Sequence, residues 1–185
     1  MNGRDKLLLD VAGRPLLRHV ARQAMATGNP VMVALPMNDN KRDDLLDGLR
    51  VQVIRVADAD QGMAHSLRAG IGQLPKDAKA LLIALADMPD ITTDDYHRLI
   101  NAFCADPDAN IYRGATANGR AGNPVLLPLW AIDNPDIFQG DTGARDLLRK
   151  HADKVRMVPL PDDHAITDLD TPADWARWRK NQSLT

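Results

Sequence analysis

In this 185-residue chain the residue best placed to do chemistry is Asp87, an aspartate that ends an apolar strand. Residues 80–86 form a nearly unbroken apolar run, and Met88 and Pro89 turn the chain away immediately after the carboxylate. Ligands of a parallel sheet bind beyond the carboxyl ends of its strands. A carboxylate at that position can hold a cation, or it can satisfy turn amides, which is a common job for aspartate. A second candidate lies in Asp168-Leu169-Asp170-Thr171-Pro172, where acidic residues ahead of a helix also complement its positive end. If Asp87 and Asp170 reach one crevice, the pair suits a hard divalent cation. Mg²⁺, with oxygen ligands at about 2.0–2.1 Å, then fits a phosphate-bearing substrate.

Three more segments place small and polar residues where a ligand can approach backbone. Gln61-Gly62-Met63-Ala64-His65-Ser66 leads into a helix whose free amides can take an anion or a base carbonyl, or carry a plain cap. Gly119-Arg120-Ala121-Gly122-Asn123-Pro124 reads as a substrate loop or as a connection. Gly140-Asp141-Thr142-Gly143-Ala144-Arg145 reads as an anion nest or as another helix start. Other chemistries drop out. His19, His65, His97, His151 and His164 show no paired metal-ligand spacing and Cys104 stands alone, which argues against zinc. No GxxxxGK[ST] string occurs, removing the commonest phosphate-loop enzymes.

The elements that must position these residues alternate. An extended stretch at 6–9 precedes a helix at 15–27, started by Pro15 and closed by Gly28. Then come strand 31–35, helix 43–49, strand 51–56, helix 63–74, strand 80–86 and a helix opening at Thr92 or Thr93 and running toward Cys104. Such alternation predicts an α/β fold with a mostly parallel sheet covered by helices on both faces. Strands at 111–113 and 124–127, joined by a Gly/Asn-containing segment, have the pattern of an antiparallel pair. The last third reads as helix 143–151, strand 155–160, a short strand at 165–166, and a helix at 172–180 capped by Thr171. Trp175 and Trp178, three apart on that helix, suit packing against the sheet.

A hydrophobic fraction of 44% supports a core, and the expectation is one domain over residues 1–185. The net charge of −2 and the lack of a dense basic stretch argue against a nucleic-acid or membrane partner. One cysteine, no signal-like apolar region and no run of transmembrane length fit a cytoplasmic protein.

Six strings, taken in order, resemble the MobA-like NTP transferases, on the branch that puts a cytidylyl group onto the molybdenum cofactor. They are Lys6-Leu7-Leu8-Leu9 with Gly13-Arg14-Pro15-Leu16-Leu17, Gly62-Met63-Ala64-His65-Ser66, Ala86-Asp87-Met88-Pro89, Gly122-Asn123-Pro124-Val125, Gly140-Asp141-Thr142-Gly143-Ala144-Arg145, and Asp168-Leu169-Asp170-Thr171-Pro172. The resemblance implies a Rossmann-like three-layer fold in which Asp87 and Asp170 hold Mg²⁺ and Lys6 faces the nucleotide phosphates. It implies that Gly62 and Ser66 contact base and ribose. It also places Gly122, Asn123, Pro124, Asp141, Gly143 and Arg145 on the side of a pterin-phosphate acceptor. The implied reaction is attack of the acceptor phosphate on the α-phosphorus of CTP with release of pyrophosphate, and the Gly140 to Arg145 string favours CTP over GTP. A molybdoenzyme or its chaperone is the implied recipient of the product.

Family members begin with a strand entering a glycine-rich loop of the form LAAGxSxRMG, and Met1-Asn2-Gly3 lines up with the last residues of that loop. The resemblance therefore implies a sheet short of its first strand and a site short of the amides that wrap a triphosphate. The expectation is a longer reading frame. The alternatives are another phosphate-activating nucleotidyltransferase, or an inactive nucleotide- or pterin-binding remnant.

Overall fold

A computed structural model describes residues 5–134, 138 and 143–182. It begins with a 3-10 turn at Lys6–Leu8, where extended chain was expected. The cause is local: the Asp5 side chain accepts from the Leu7 amide at 3.0 Å and caps the turn. A two-residue hairpin follows, β1 (Asp10–Val11) against β2 (Arg14–Pro15). Its turn needs positive φ at both central residues, supplied by Ala12 at 52° and Gly13 at 79°. Nothing in the periodicity announces so short a pair.

Helix α1 (Leu16–Met25) buries Leu16, Leu17 and Val20, as the sequence spacing predicts, but the fourth buried residue is Ala21, while Ala24, expected in the stripe, is only half-buried. Strand β3 (Met32–Pro36) pairs in parallel with β4 (Gln52–Val56), and the intervening α2 (Asn40–Asp44) starts earlier than expected because Asp39 caps it. Helix α3 (Met63–Ile71) leads to β5 (Ala80–Ile83), and α4 (Thr93–Ala105) carries a reciprocal capping box between Thr92 and Asp95. Strands β6 (Ile111–Ala115) and β7 (Ala121–Pro128) are antiparallel, as expected. After α5 (Arg145–Lys150), β8 (Val155–Pro159) pairs in parallel with β6. The segment at 165–166 is a 3-10 turn, His164–Ile166, rather than a strand, and α6 (Pro172–Gln182) ends the described chain.

The α/β character is as expected, but the large sheet is in two parts. One holds β3 and β4, and the other runs β5-β7-β6-β8. Among the described residues no strand bridges β3 and β5. Both strands line an apolar cleft of about 280 Å³, walled also by Leu17 and Ala21 of α1 and Leu67 of α3. Strand β5 is shorter than its apolar run of residues 80–86. Ile83 is the last residue paired with β7, and residues 84–86 have no ladder partner among the described residues.

The second part of the sheet is held against α4 by a buried polar contact. Asp95, 1% exposed, takes the Thr92 amide at 2.9 Å and lies 2.8 Å from His164 Nδ1. This fixes the His164–Ile166 turn beside β7, where Gly122 meets it so closely that a Cβ would lie 1.8 Å from the Ala165 carbonyl oxygen. A backbone carbonyl cannot swing aside as a flexible side chain can. Gly122→Ala is therefore expected to lower unfolding free energy by about 3 kcal/mol through overpacking. Gly70→Ala, inside α3 with nothing within 4 Å of the added carbon, is expected to raise it by about 0.5–1 kcal/mol. Urea midpoints of the two variants check the pair, and equal midpoints would contradict the packing argument.

Candidate active site

The end of β5 and the segment before α6 are joined by one backbone contact: the Leu169 amide donates to the Asp87 carbonyl at 3.0 Å. Leu169 is buried with Val11, Leu16, Val20 and Trp175, so the flanking acidic residues are held at the sheet by an apolar anchor. The anchor brings Asp87 and Asp170 to one cation. Lys6 Nζ donates to Asp87 Oδ2 at 2.6 Å and also to Asp170 Oδ1. It is Asp170 rather than Asp168 that makes this contact.

Lys6 reaches the carboxylates from its capped turn, which an ion pair between Asp5 and Arg42 at 2.8 Å ties to α2. Burial pushes the Lys6 pKa down, but the hydrogen bonds and charges of Asp170 and Asp87 outweigh it and leave the ammonium above its ordinary value. Lys6 is thus charged at neutral pH, and its ammonium is paired with both carboxylates.

The arrangement fits a divalent cation. The ammonium marks the point where two carboxylates share positive charge, and the other oxygen of Asp87, Oδ1, is buried with no hydrogen-bond partner. Such an atom carries a desolvation cost that a cation would relieve. Among the described residues no group of three or more His, Cys, Asp or Glu side chains gathers to hold a metal. Two carboxylates remain compatible with Mg²⁺, which typically binds through one or two carboxylates plus phosphate oxygens and keeps several waters.

The glycine-rich strings also converge. Gly62, at φ 112°, precedes α3 in a conformation that favours glycine, and Ser66 on that helix lines the cleft between β3 and β5. Met63 lines this cleft and a second cavity of about 450 Å³, which has Asn123 and Arg145 on its wall. A Cβ on Gly143 would lie 2.8 Å from Met63 Sδ, so Gly143 rests on the start of α3. Two members of the acceptor group are engaged differently. Pro124 is buried in β7, and Gly122 packs on Ala165. Asp141 lies outside the described residues.

A family model described as the MobA-like NTP transferase domain matches residues 1–155. The chain belongs to the MobA-like NTP transferase family. It is 25% identical over 130 residues to the molybdenum cofactor guanylyltransferase of Shewanella halifaxensis (strain HAW-EB4), an overlap covering 70% of this chain and 60% of that protein. The MobA-like chain thus spans about 60% of the length of the curated relative it matches. Two solved structures share its fold. The homologue of Mycobacterium tuberculosis Rv0371c from Mycobacterium sp. strain JC1 superposes with a TM-score of 0.84 at 23% identity, covering 99% of this chain and 91% of that one. Rv0371c of Mycobacterium tuberculosis H37Rv in complex with manganese gives 0.81 at 22% identity, covering 95% and 91%.

Two residues of this MobA-like site escaped the sequence reading. Arg113 lines the larger cavity, and its only signal was a charge in an otherwise apolar strand. His19, on α1, lies with Nε2 3.1 Å from the Pro89 carbonyl and so steadies the turn that follows Asp87. A carbonyl only accepts, so Nε2 carries the proton and the neutral ring suffices. Burial is the main cause that pulls the His19 pKa below 6.5. Arg14 adds to it, and the Pro89 carbonyl and Asp90 oppose it without prevailing.

The lowered pKa has a stability consequence. Between the folded value and 6.5 the unfolded chain binds more protons at this ring. The contribution of His19 is therefore complete above pH 6.5 and declines as pH falls through 6.5 toward the lowered folded value. His19→Gln, which retains a donor, is expected to show a smaller drop in urea midpoint between about pH 7.5 and about pH 5.5 than the parent. Identical drops would exclude His19 from that pH dependence.

Proposed function

We propose that this chain is a nucleotidyltransferase that moves CMP from CTP to the phosphate of a pterin-type acceptor, the molybdenum cofactor, and releases pyrophosphate. The observation that carries the reading is the convergence of Asp87 and Asp170 on the Lys6 ammonium, at the carboxyl end of β5. Family membership supports nucleotidyl transfer, and the name of the Shewanella relative supports the acceptor class. That name specifies a guanylyl group, which supports GTP as the second reading of the donor. The Gly140-Asp141-Thr142-Gly143-Ala144-Arg145 string supports CTP.

The chemistry asks little of the protein as a base, because an acceptor phosphate is already an anionic nucleophile. The difficulty is to bring two anions together and offset charge as it gathers in line. Lys6 contributes a fixed positive charge to that end. Asp87 and Asp170 would hold Mg²⁺, and the bound ion would supply charge neutralisation on phosphate oxygens. Gly62 and Ser66 would receive base and ribose, and Asn123, Gly143 and Arg145 would receive the acceptor. Asp141, Gly122 and Pro124 complete the proposed acceptor group, the last two by shaping the start of β7.

Asp87→Asn keeps the size of the side chain and removes its charge. If the cation seat supplies roughly 4 kcal/mol of transition-state stabilisation, turnover should fall about a thousandfold. The assay supplies CTP or GTP with the pterin acceptor and Mg²⁺, and circular dichroism verifies the fold. Near-parental turnover in Asp87→Asn would remove that residue from the mechanism. Faster transfer from GTP would select the guanylyl reading, and acceptor binding without any turnover would leave a binding protein.

A further inference from the structure

The cavity of about 450 Å³ over the face of the β5-β7-β6-β8 sheet is lined by Arg113, Arg145 and Arg149 and, among the described residues, by no carboxylate. The chain has 25 acidic and 23 basic side chains, yet the described charged residues of this wall are all basic. Arg149 is exposed and paired with Asp146 at 3.0 Å. Arg113 and Arg145 form no ion pair among the described residues. Arg113 is oriented from the sheet. It extends from β6, and its Nε donates to the Gly122 carbonyl on β7 at 2.8 Å, which fixes the plane of the guanidinium. Both arginines line the pocket, and burial and then the charge of Arg145 lower the Arg113 pKa. The remaining wall is largely apolar, with Val125, Leu148 and Met157, and Leu85 places the cavity two residues from Asp87.

We propose that this cavity is a phosphoryl subsite in which Arg113 and Arg145 clamp a phosphate monoester while the apolar wall takes the body of the same molecule. Two guanidinium groups with free donors match the charge and oxygen geometry of a phosphate dianion, which also ends their mutual repulsion. Arg113 is the residue that sets this preference, since its plane is held by backbone before any ligand arrives. That the phosphate belongs to the acceptor rests on the nucleotidyl-transfer reading; the binding of phosphate does not.

Inorganic phosphate is titrated into the full chain without nucleotide or metal, with binding followed by phosphorus NMR. The parent should bind, Arg113→Gln and Arg145→Gln should each weaken binding roughly tenfold or more, and Arg113→Lys should fall between. Thermal melts verify that the variants fold, and Arg145→Gln serves if Arg113→Gln does not. No binding by the parent, or equal binding by the folded variants, overturns the subsite. Loss in Lys6→Gln but not in the arginine variants puts the anion at the other end of the site and also overturns it. CTP should leave bound phosphate in place if the pocket takes the acceptor. Displacement of phosphate in step with CTP binding would overturn that assignment. Because no transfer step is read, a failed transfer assay leaves the subsite standing, and a failed titration leaves the roles of Asp87 and Asp170 standing.

Discussion

Two carboxylates brought close together repel each other unless positive charge lies between them. The arrangement of Asp87, Lys6 and Asp170 follows from that constraint. The ammonium is shared by carboxylates from the end of β5 and the start of α6. What holds them there is not their own attraction, which partly exposed groups supply only weakly. The Leu169 amide on the Asp87 carbonyl and the buried Leu169 side chain are the structural anchor. Trp178 adds a second tie, its Nε1 donating to Asp90 Oδ1 at 2.7 Å. Apolar burial thus positions a polar cluster, and the buried, unpartnered Oδ1 of Asp87 is the local cost.

The divided sheet bears on the same site from the other side. Backbone groups at a strand edge require partners or solvent. The facing edges of β3 and β5 instead line an apolar cleft that reaches Ala86, next to Asp87. Met63 belongs to both cavities, so the helix that follows Gly62 is the partition between the region of Ser66 and the arginine-lined pocket. A nucleotide on one side and a phosphate-bearing acceptor on the other would meet near the end of β5. In α/β folds ligands bind beyond the carboxyl ends of the strands, which is where the proposed reading puts both.

Much of the fold was legible because hydrophobic period survives in the chain. The stripe of Leu16, Leu17 and Val20, the apolar runs of β3 and β4, and the Thr92 cap all read directly into elements. Where the reading missed, a short-range contact outweighed the pattern. The Asp5 cap converted an extended stretch into a turn, and Asp39 moved the start of α2. At 165–166 the packing of Ala165 on Gly122 accompanies a 3-10 turn where a strand was expected.

The sequence by itself determined the alternation of helices and strands, the placing of Asp87 after an apolar strand, and the likeness of its short strings to one family. These are local or ordered properties, carried by side-chain period and neighbour identity. Tertiary structure alone decided that Asp170 rather than Asp168 meets Lys6, that His19 steadies the Pro89 turn, and that Arg113 and Arg145 line one pocket. Contacts between residues 70 or more positions apart, such as His19 with Pro89, depend on how packed elements cross. No local period encodes a crossing, because it is set jointly by the buried faces of several elements.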